Sequence, residues 1–366
     1  MKKISVITLH AIKNYGSVLQ TLATQEIFQN MNLEVEFVNY IRPDASDEAI
    51  LDTWTKKEKG LIKLTKKIIL LPTIKKWKTV FGGFLKSNIN LSENTYSTTQ
   101  DFLENPIVSD NYCVGSDQVW NSKWNLGLIP EFFLSYAPSG SNKISFASSF
   151  GKEKLDDWEK VETKNLLADF RHISVRENSA VDIINDLDIA GAVHVLDPTL
   201  VLDKDFWAKF AGESPKRKKY CLIYQLNSNS NFDKFTKEYA RKNGLELLRI
   251  CIRYDQFIKT GKPVFIPEVK EFVSLFLNAS CVITDSFHAT AFSINLNIPF
   301  ISIYPGEFST RIASILKVMH LENRHLEDYS KTIEINDIDF DYANKLLNKQ
   351  RAETMEFLTT AINSED

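Results

Sequence analysis

The residues best suited to chemistry lie in Thr284-Asp-Ser-Phe-His288, directly after the apolar run Cys281–Thr284. Thr284, Asp285 and Ser286 are favourable N-cap types, so a helix is expected to start here and to end near Asn295, ahead of Pro299. The free N–H groups and positive dipole end of such a helix favour a phosphate or carboxylate. A histidine at this point can also move a proton near neutral pH. On spacing alone, His288 reads equally well as a helix-start residue that only hydrogen-bonds a neighbouring turn.

Arginine is the natural partner for an anionic substrate, because its planar fork meets a carboxylate or phosphate at two points. Arg176 ends the run Ile173-Ser-Val-Arg, Arg311 follows Gly306-Glu-Phe-Ser-Thr, and Arg324 follows Leu321-Glu-Asn. Each alone is more often a surface or ion-pair residue, but all three follow strand-like runs.

Polar turns form a second group. Gly115-Ser-Asp-Gln-Val-Trp-Asn puts Ser116, Asp117 and Gln118 on a turn able to bond sugar hydroxyls, with Trp120 as an apolar face. Asn14-Tyr15-Gly-Ser and Ser148-Ser149-Phe-Gly are expected on the same wall. The competing reading is ordinary turn and capping chemistry. Asp186-Leu-Asp188 and Asp337-Ile-Asp-Phe-Asp341 have a spacing that suggests a metal-bound nucleotide sugar, yet both sit near helix ends, where acids cap. Neither a G-x-G-x-x-G nor a P-loop follows the first strand.

Elements that carry these turns follow from periodicity. A strand at 4–9, a helix at about 18–31 and a strand at 35–40 open the chain as a βαβ unit. Further strands are expected at Tyr112-Cys-Val-Gly, Lys143-Ile-Ser-Phe-Ala, His172-Ile-Ser-Val-Arg and His194-Val-Leu-Asp. After the basic, proline-bearing linker that starts at Ser214, strands at 220–226, 246–252, 281–284 and 300–304 alternate with helices. The pattern is α/β and doubly wound, with mainly parallel sheets, and a chain of 366 residues exceeds what one core usually supports. Two domains are expected, 1–213 and 214–366, with ligands in the cleft beyond the strand ends. The last helix is expected to pack back on the first domain.

Composition narrows the class. A formal charge of -3 gives no general pull toward nucleic acid. No stretch reads as a secretory signal or a span of about 20 apolar residues, so the expected location is the cytoplasm. Cys113, Cys221, Cys251 and Cys281 are widely spaced among apolar neighbours and read as buried thiols. One stretch departs from the rest: residues 56–86 hold ten lysines and one acid, Glu58, among aliphatic and aromatic groups. It reads either as a helical pair with solvated lysines or as a peripheral contact with anionic lipid at the inner face of a membrane.

Asn14-Tyr-Gly-Ser-Val-Leu-Gln, Val114-Gly-Ser-Asp-Gln-Val-Trp-Asn, Phe146-Ala-Ser-Ser-Phe-Gly, Ile173-Ser-Val-Arg-Glu-Asn-Ser, Val195-Leu-Asp-Pro-Thr and Thr284-Asp-Ser-Phe-His, in this order, resemble the polysaccharide pyruvyl transferase family over nearly the whole chain. The resemblance implies a GT-B-like pair of Rossmann-type domains facing a cleft. It also implies transfer of pyruvate from phosphoenolpyruvate to a sugar of a cell-surface glycan or its lipid-linked precursor, with no cofactor and no metal. On that basis His288 is the expected acid or base. Arg176, Arg311, Arg324, Thr284, Asp285 and Ser286 would face the donor, and Asn14, Tyr15, Ser116, Asp117, Gln118 and Ser149 the acceptor. Many family members carry arginine two residues before the motif histidine, where this chain has Ser286. Two other functions remain open at this point: a GT-B glycosyltransferase using a nucleotide sugar, and a non-catalytic carbohydrate-binding protein.

Overall fold

Ile4, Val6 and Ile7 are fully buried in β1 (Lys3–Ile7), as apolar runs are when helices cover both faces of a parallel sheet. The computed structural model describes residues 1–213, 219–306, 309–331, 333–334 and 338–364. The linker expected from Ser214 lies almost entirely outside the described residues, as does Asp337. The first sheet joins β1 to β2 (Glu34–Tyr40), β3 (Leu91–Tyr96), β4 (Asn111–Val114) and β5 (Asn142–Ser145) in the order β3-β2-β1-β4-β5, all parallel. Ile4 sits beside Val35 on one side and Asn111 on the other. Two short strands, β6 (Ser174–Val175) and β7 (Val193–His194), extend it through bridges from Ile144 to His172 and from Ser148 to Val175.

The second sheet repeats the plan with β8 (Tyr220–Tyr224), β9 (Glu246–Cys251), β10 (Lys262–Phe265), β11 (Cys281–Thr284) and β12 (Phe300–Ser302), ordered β10-β9-β8-β11-β12 and all parallel. Strand order reverses between β1 and β4 and between β8 and β11. At such switch points the loops leaving neighbouring strands part to opposite faces and open a crevice.

Most differences from the sequence reading are at edges. β3 and β10 were not expected: β3 exposes Glu93, Asn94 and Thr95, and β10 carries Pro263, both features of edge strands. In the run 172–176 only Ser174 and Val175 form a strand, and His172 makes an isolated bridge. The first helix begins at Tyr15, three residues early, because the Asn14 side chain accepts from the Gly16 N–H at 2.8 Å and caps it. Residues 60–88 are not a pair of helices. The helix Gly60–Trp77 passes through a π turn, Lys78–Gly82, into Gly83–Asn88 without a capping break.

The two halves interlock. The ring of Tyr15 stacks on Phe272 at 4.2 Å and its hydroxyl donates to the Pro267 carbonyl at 2.6 Å. The side chain of Asn295 donates to the carbonyls of Thr199 and Leu202, and the indole of Trp77 to that of Ile252. From the long helix Phe340–Asn363, Arg351 donates to the Leu200 carbonyl, Thr354 accepts from the Leu196 N–H, and the Ala361 carbonyl accepts from Asn142. One hydrophobic cluster runs from Ile4 through Tyr15 to Leu222 and Phe292. All four cysteines are buried and unpaired. Among the described residues, no helix is long and apolar enough to cross a membrane.

Candidate functional site

The loop after β4 holds Asp117 at φ +79°, a conformation that costs a non-glycine residue about 1–3 kcal/mol. A bridge to Ser148 fixes it there, and its carboxylate accepts from the Ser17 hydroxyl at 2.9 Å. Arg176, just past β6, and Asp197, three residues past β7, lie beside it. Nη1 of Arg176 donates to Asp197 at 2.8 Å, while Nη2 stands 3.5 Å from Asp117. Asp197 accepts in addition from Ser116, from the Thr199 hydroxyl and from the Thr199 N–H, so both carboxylate oxygens are engaged.

The second half brings His288 to this carboxylate. Ser286 accepts from the Ala289 N–H and caps the helix Phe287–Asn295, which places His288 in the first turn. Its Nε2 lies 3.8 Å from the Asp197 carboxylate and has no hydrogen-bond partner. The guanidinium of Arg176 lies over the Phe287 ring, 4.4 Å from its centre. Gly16, from the first helix, presses against the imidazole, leaving no room there for a side-chain carbon. Arg311, in the helix Thr310–Val318, is half-buried, and its Nε has no partner. No carboxylate among the described residues forms an ion pair with it.

Burial is the largest influence on every charge in this cluster, and neighbours decide the outcome. Burial presses the Asp197 carboxyl upward, but Arg176 and His288 beside it bring it down to about 2. Asp117 likewise ends below the usual range because Arg176, His288 and Arg311 outweigh its burial. Arg176 is held more firmly charged by Asp197, Asp117 and Glu177, despite its burial. For His288 burial prevails: its pKa falls below the ordinary value even with Asp197 and Asp117 pulling upward, so the resting imidazole is neutral at pH 7. Burial, with Arg176 nearby, lowers Arg311 to about 10.

The structure therefore brings Arg176, Arg311, His288, Ser116 and Asp117 together, and it adds residues the sequence reading did not single out. Asp197 and Ser17 hold the cluster, and Glu177 accepts from Ser149 and from the Gly151 N–H beside it. A signal for Asp197 was present: it follows a strand-like run and precedes a proline, the same strand-end placement that drew attention to Arg176. Gln118 accepts from Asn121 next to Gly151, and Asn14 is occupied as a cap.

Other residues lie apart. Tyr15 and Trp120 are core residues, the indole N–H of Trp120 donating to the Phe132 carbonyl. Thr284 donates to the Tyr224 carbonyl, and Asp285 accepts from the N–H groups of Leu226 and Asn227, tying the β8 and β11 loops. Arg324 donates to the Glu334 carbonyl and to Asn323.

Solved structures similar to the chain include a UDP-GlcNAc 2-epimerase from Neisseria meningitidis, at 11% identity and TM-score 0.43, covering 100% of this chain and 95% of that one. Another is MnaA of S. aureus, at 12% and 0.48, covering 97% and 91%. A third is MurG of Acinetobacter baumannii, at 10% and 0.40, covering 100% and 96%. At these values they lend no argument about chemistry, and the α/β architecture with two parallel sheets rests on the strand order itself. No curated protein matches the chain. The model of one family does, over residues 14–307, which include every member of the charged cluster except Arg311: the chain belongs to the polysaccharide pyruvyl transferase family.

Proposed function

We propose that the chain transfers the pyruvyl group of phosphoenolpyruvate to two hydroxyls of one sugar in a glycan, forming a cyclic ketal and releasing phosphate. The observation that supports this best is a set of three buried nitrogens without hydrogen-bond partners, Nε of Arg176, Nε of Arg311 and Nε2 of His288, in side chains close enough to shift one another's protonation. Buried donors left unpaired are costly, and a ligand bearing a carboxylate and a phosphate supplies the missing acceptors.

In this scheme Arg311 and the start of the helix Phe287–Asn295 hold the donor's anionic groups. Arg176, whose Nη1 and Nη2 face Asp197 and Asp117, is oriented by them and offers its free Nε to the donor. Arrival of the donor's negative charge raises the His288 pKa, so the imidazole takes up a proton and delivers it to the donor's CH2 carbon. The first sugar hydroxyl adds to the adjacent carbon and loses its proton to the imidazole. The carbon–oxygen bond to phosphate then breaks, phosphate leaving with the electron pair, and the second hydroxyl closes the ring and gives up its proton to the departing phosphate. Asp117, Gln118 and Asn14 face the acceptor, while Ser116 and Ser149 hold its wall.

The test is phosphate release from phosphoenolpyruvate against a panel of glycan acceptors, with ketal formation followed as an acceptor mass gain. His288→Ala is expected to abolish release while leaving the melting temperature within a few degrees. Near-normal turnover of that variant would remove the proton-transfer role. A melting temperature raised by a nucleoside diphosphate and not by phosphoenolpyruvate would favour a nucleotide-sugar glycosyltransferase, because only a ligand of the folded state stabilises it.

A further inference from the structure

The helix Gly60–Trp77 is oriented opposite to a simple solvated basic helix. Leu70, Thr73, Ile74 and Trp77 face the core, as expected of one stripe. The outward face of the first three turns, however, is aliphatic: Leu61, Ile62, Leu64, Ile68, Ile69 and Leu71 are exposed, Leu61 by 78% and Ile62 by 67%. The lysines between them are turned back toward the protein. Lys63 and Lys67 both pair with Asp52 at 2.8 Å and bring its carboxyl down to about 2, and Lys66 pairs with Glu58 at 2.9 Å. Leu61, Ile62 and Ile69, with Thr65 and Lys66, line a shallow groove of about 310 Å3. A monomeric surface rarely leaves so contiguous an apolar stripe uncovered.

Charge decides what covers it. Lys56, Lys57 and Lys59 precede the stripe and Lys75 follows it, all exposed and without a carboxylate partner among the described residues. Between Lys59 and Trp77 the sequence contains no acid. A two-fold contact with a second copy would set this patch against itself, lysine against lysine, with no acid on the stripe to offset them. A surface that offers negative charge and an apolar interior together satisfies both halves of the pattern. We infer that the outward face of the helix Gly60–Trp77 is a docking surface for an anionic lipid bilayer, lying in the headgroup plane with its aliphatic side chains inserted and its terminal lysines on the headgroups. The inference is independent of the donor and the acceptor.

The experiment is flotation of the full chain with vesicles of phosphatidylglycerol and phosphatidylcholine, compared with phosphatidylcholine alone. Binding to the anionic vesicles is expected to be at least about tenfold stronger and to weaken with added salt. Ile62→Gln/Ile69→Gln, two exposed sites away from the charged cluster, should lose binding while keeping the melting temperature and phosphate release on a water-soluble acceptor. A variant with Lys56, Lys57, Lys59 and Lys75 all changed to Gln should bind both vesicle types equally weakly. The inference is overturned by absence of binding to anionic vesicles, by unchanged binding of Ile62→Gln/Ile69→Gln, or by a solution dimer that this double substitution converts to monomer.

Discussion

Gly16 and His288 belong to different halves of the chain, yet the glycine's missing side chain is the space that the imidazole occupies. Gly16 stands in the first turn of its helix with an ordinary negative φ, so alanine fits its backbone and would add up to about 1 kcal/mol of helix propensity. Overpacking against the ring costs about 1–3 kcal/mol in the other direction. Gly16→Ala is therefore expected to change the melting temperature little and to displace His288. A misplacement of that order costs about 100-fold in turnover. Equal kcat in the variant and the parent would show that the contact has no bearing on the reaction.

Asp197 is the carboxylate that Arg176 and His288 share. Asp197→Asn keeps the shape and leaves Arg176 buried beside a neutral amide, a loss expected to cost about 3–5 kcal/mol. Asp197 also favours the protonated imidazole, so its removal lowers the His288 pKa further. The limb of the kcat/KM profile that reports His288 should move to lower pH in Asp197→Asn, a displacement that a purely structural role would not produce.

Arg311 is half-buried, its Nε is enclosed without a partner and no described carboxylate pairs with it, which destabilises the ligand-free fold. Arg311→Met is expected to stabilise the free protein by on the order of 1 kcal/mol, read as a rise of roughly 1–3 °C in Tm. Under the proposed function the same change should raise the KM for phosphoenolpyruvate about 10- to 100-fold, the worth of a hydrogen bond to a charged group. A lowered Tm together with an unchanged KM would contradict both parts.

His10 offers a stability test remote from the reaction. Burial lowers its pKa to about 4, against the lifting effect of the Thr8 carbonyl and Asn39. The unfolded chain then binds more protons than the folded one between about pH 6.5 and 4. The contribution, about 3 kcal/mol, is complete above the unfolded pKa and is lost as pH falls through the folded one. Thermal melts from pH 7 to pH 4 should show this decline, and His10→Gln should make it shallower, leaving the part due to His288. The contribution of Asp197, held at about 2, is intact over this range and is lost only at lower pH.

The alternation of short apolar runs with helical stretches was enough to read two parallel sheets, because strands buried on both faces leave a continuous apolar signature. β3 and β10 escaped because edge strands need no such signature. His288, Arg176 and Asp117 were legible as residues that follow strands. Their convergence was legible only through the family resemblance, since β6 and β11 lie in different halves and nothing local in the sequence brings them face to face. Tyr15 and Trp120 misled for the opposite reason: aromatic residues beside polar turns look like sugar platforms, and both are core. The outward aliphatic face of Gly60–Trp77 was hidden by lysine count alone, which does not reveal that Asp52 and Glu58 draw three of those lysines inward.

The stack of Tyr15 on Phe272 belongs to an apolar cluster that ignores the boundary between the two sheets. Neither half can lose its order without exposing the other's interior, so heat should disrupt both in one cooperative event with a single calorimetric peak. Two lobes that melt together are also poor candidates for expression as separate pieces. His288 meets Asp197 only as long as both lobes are in place.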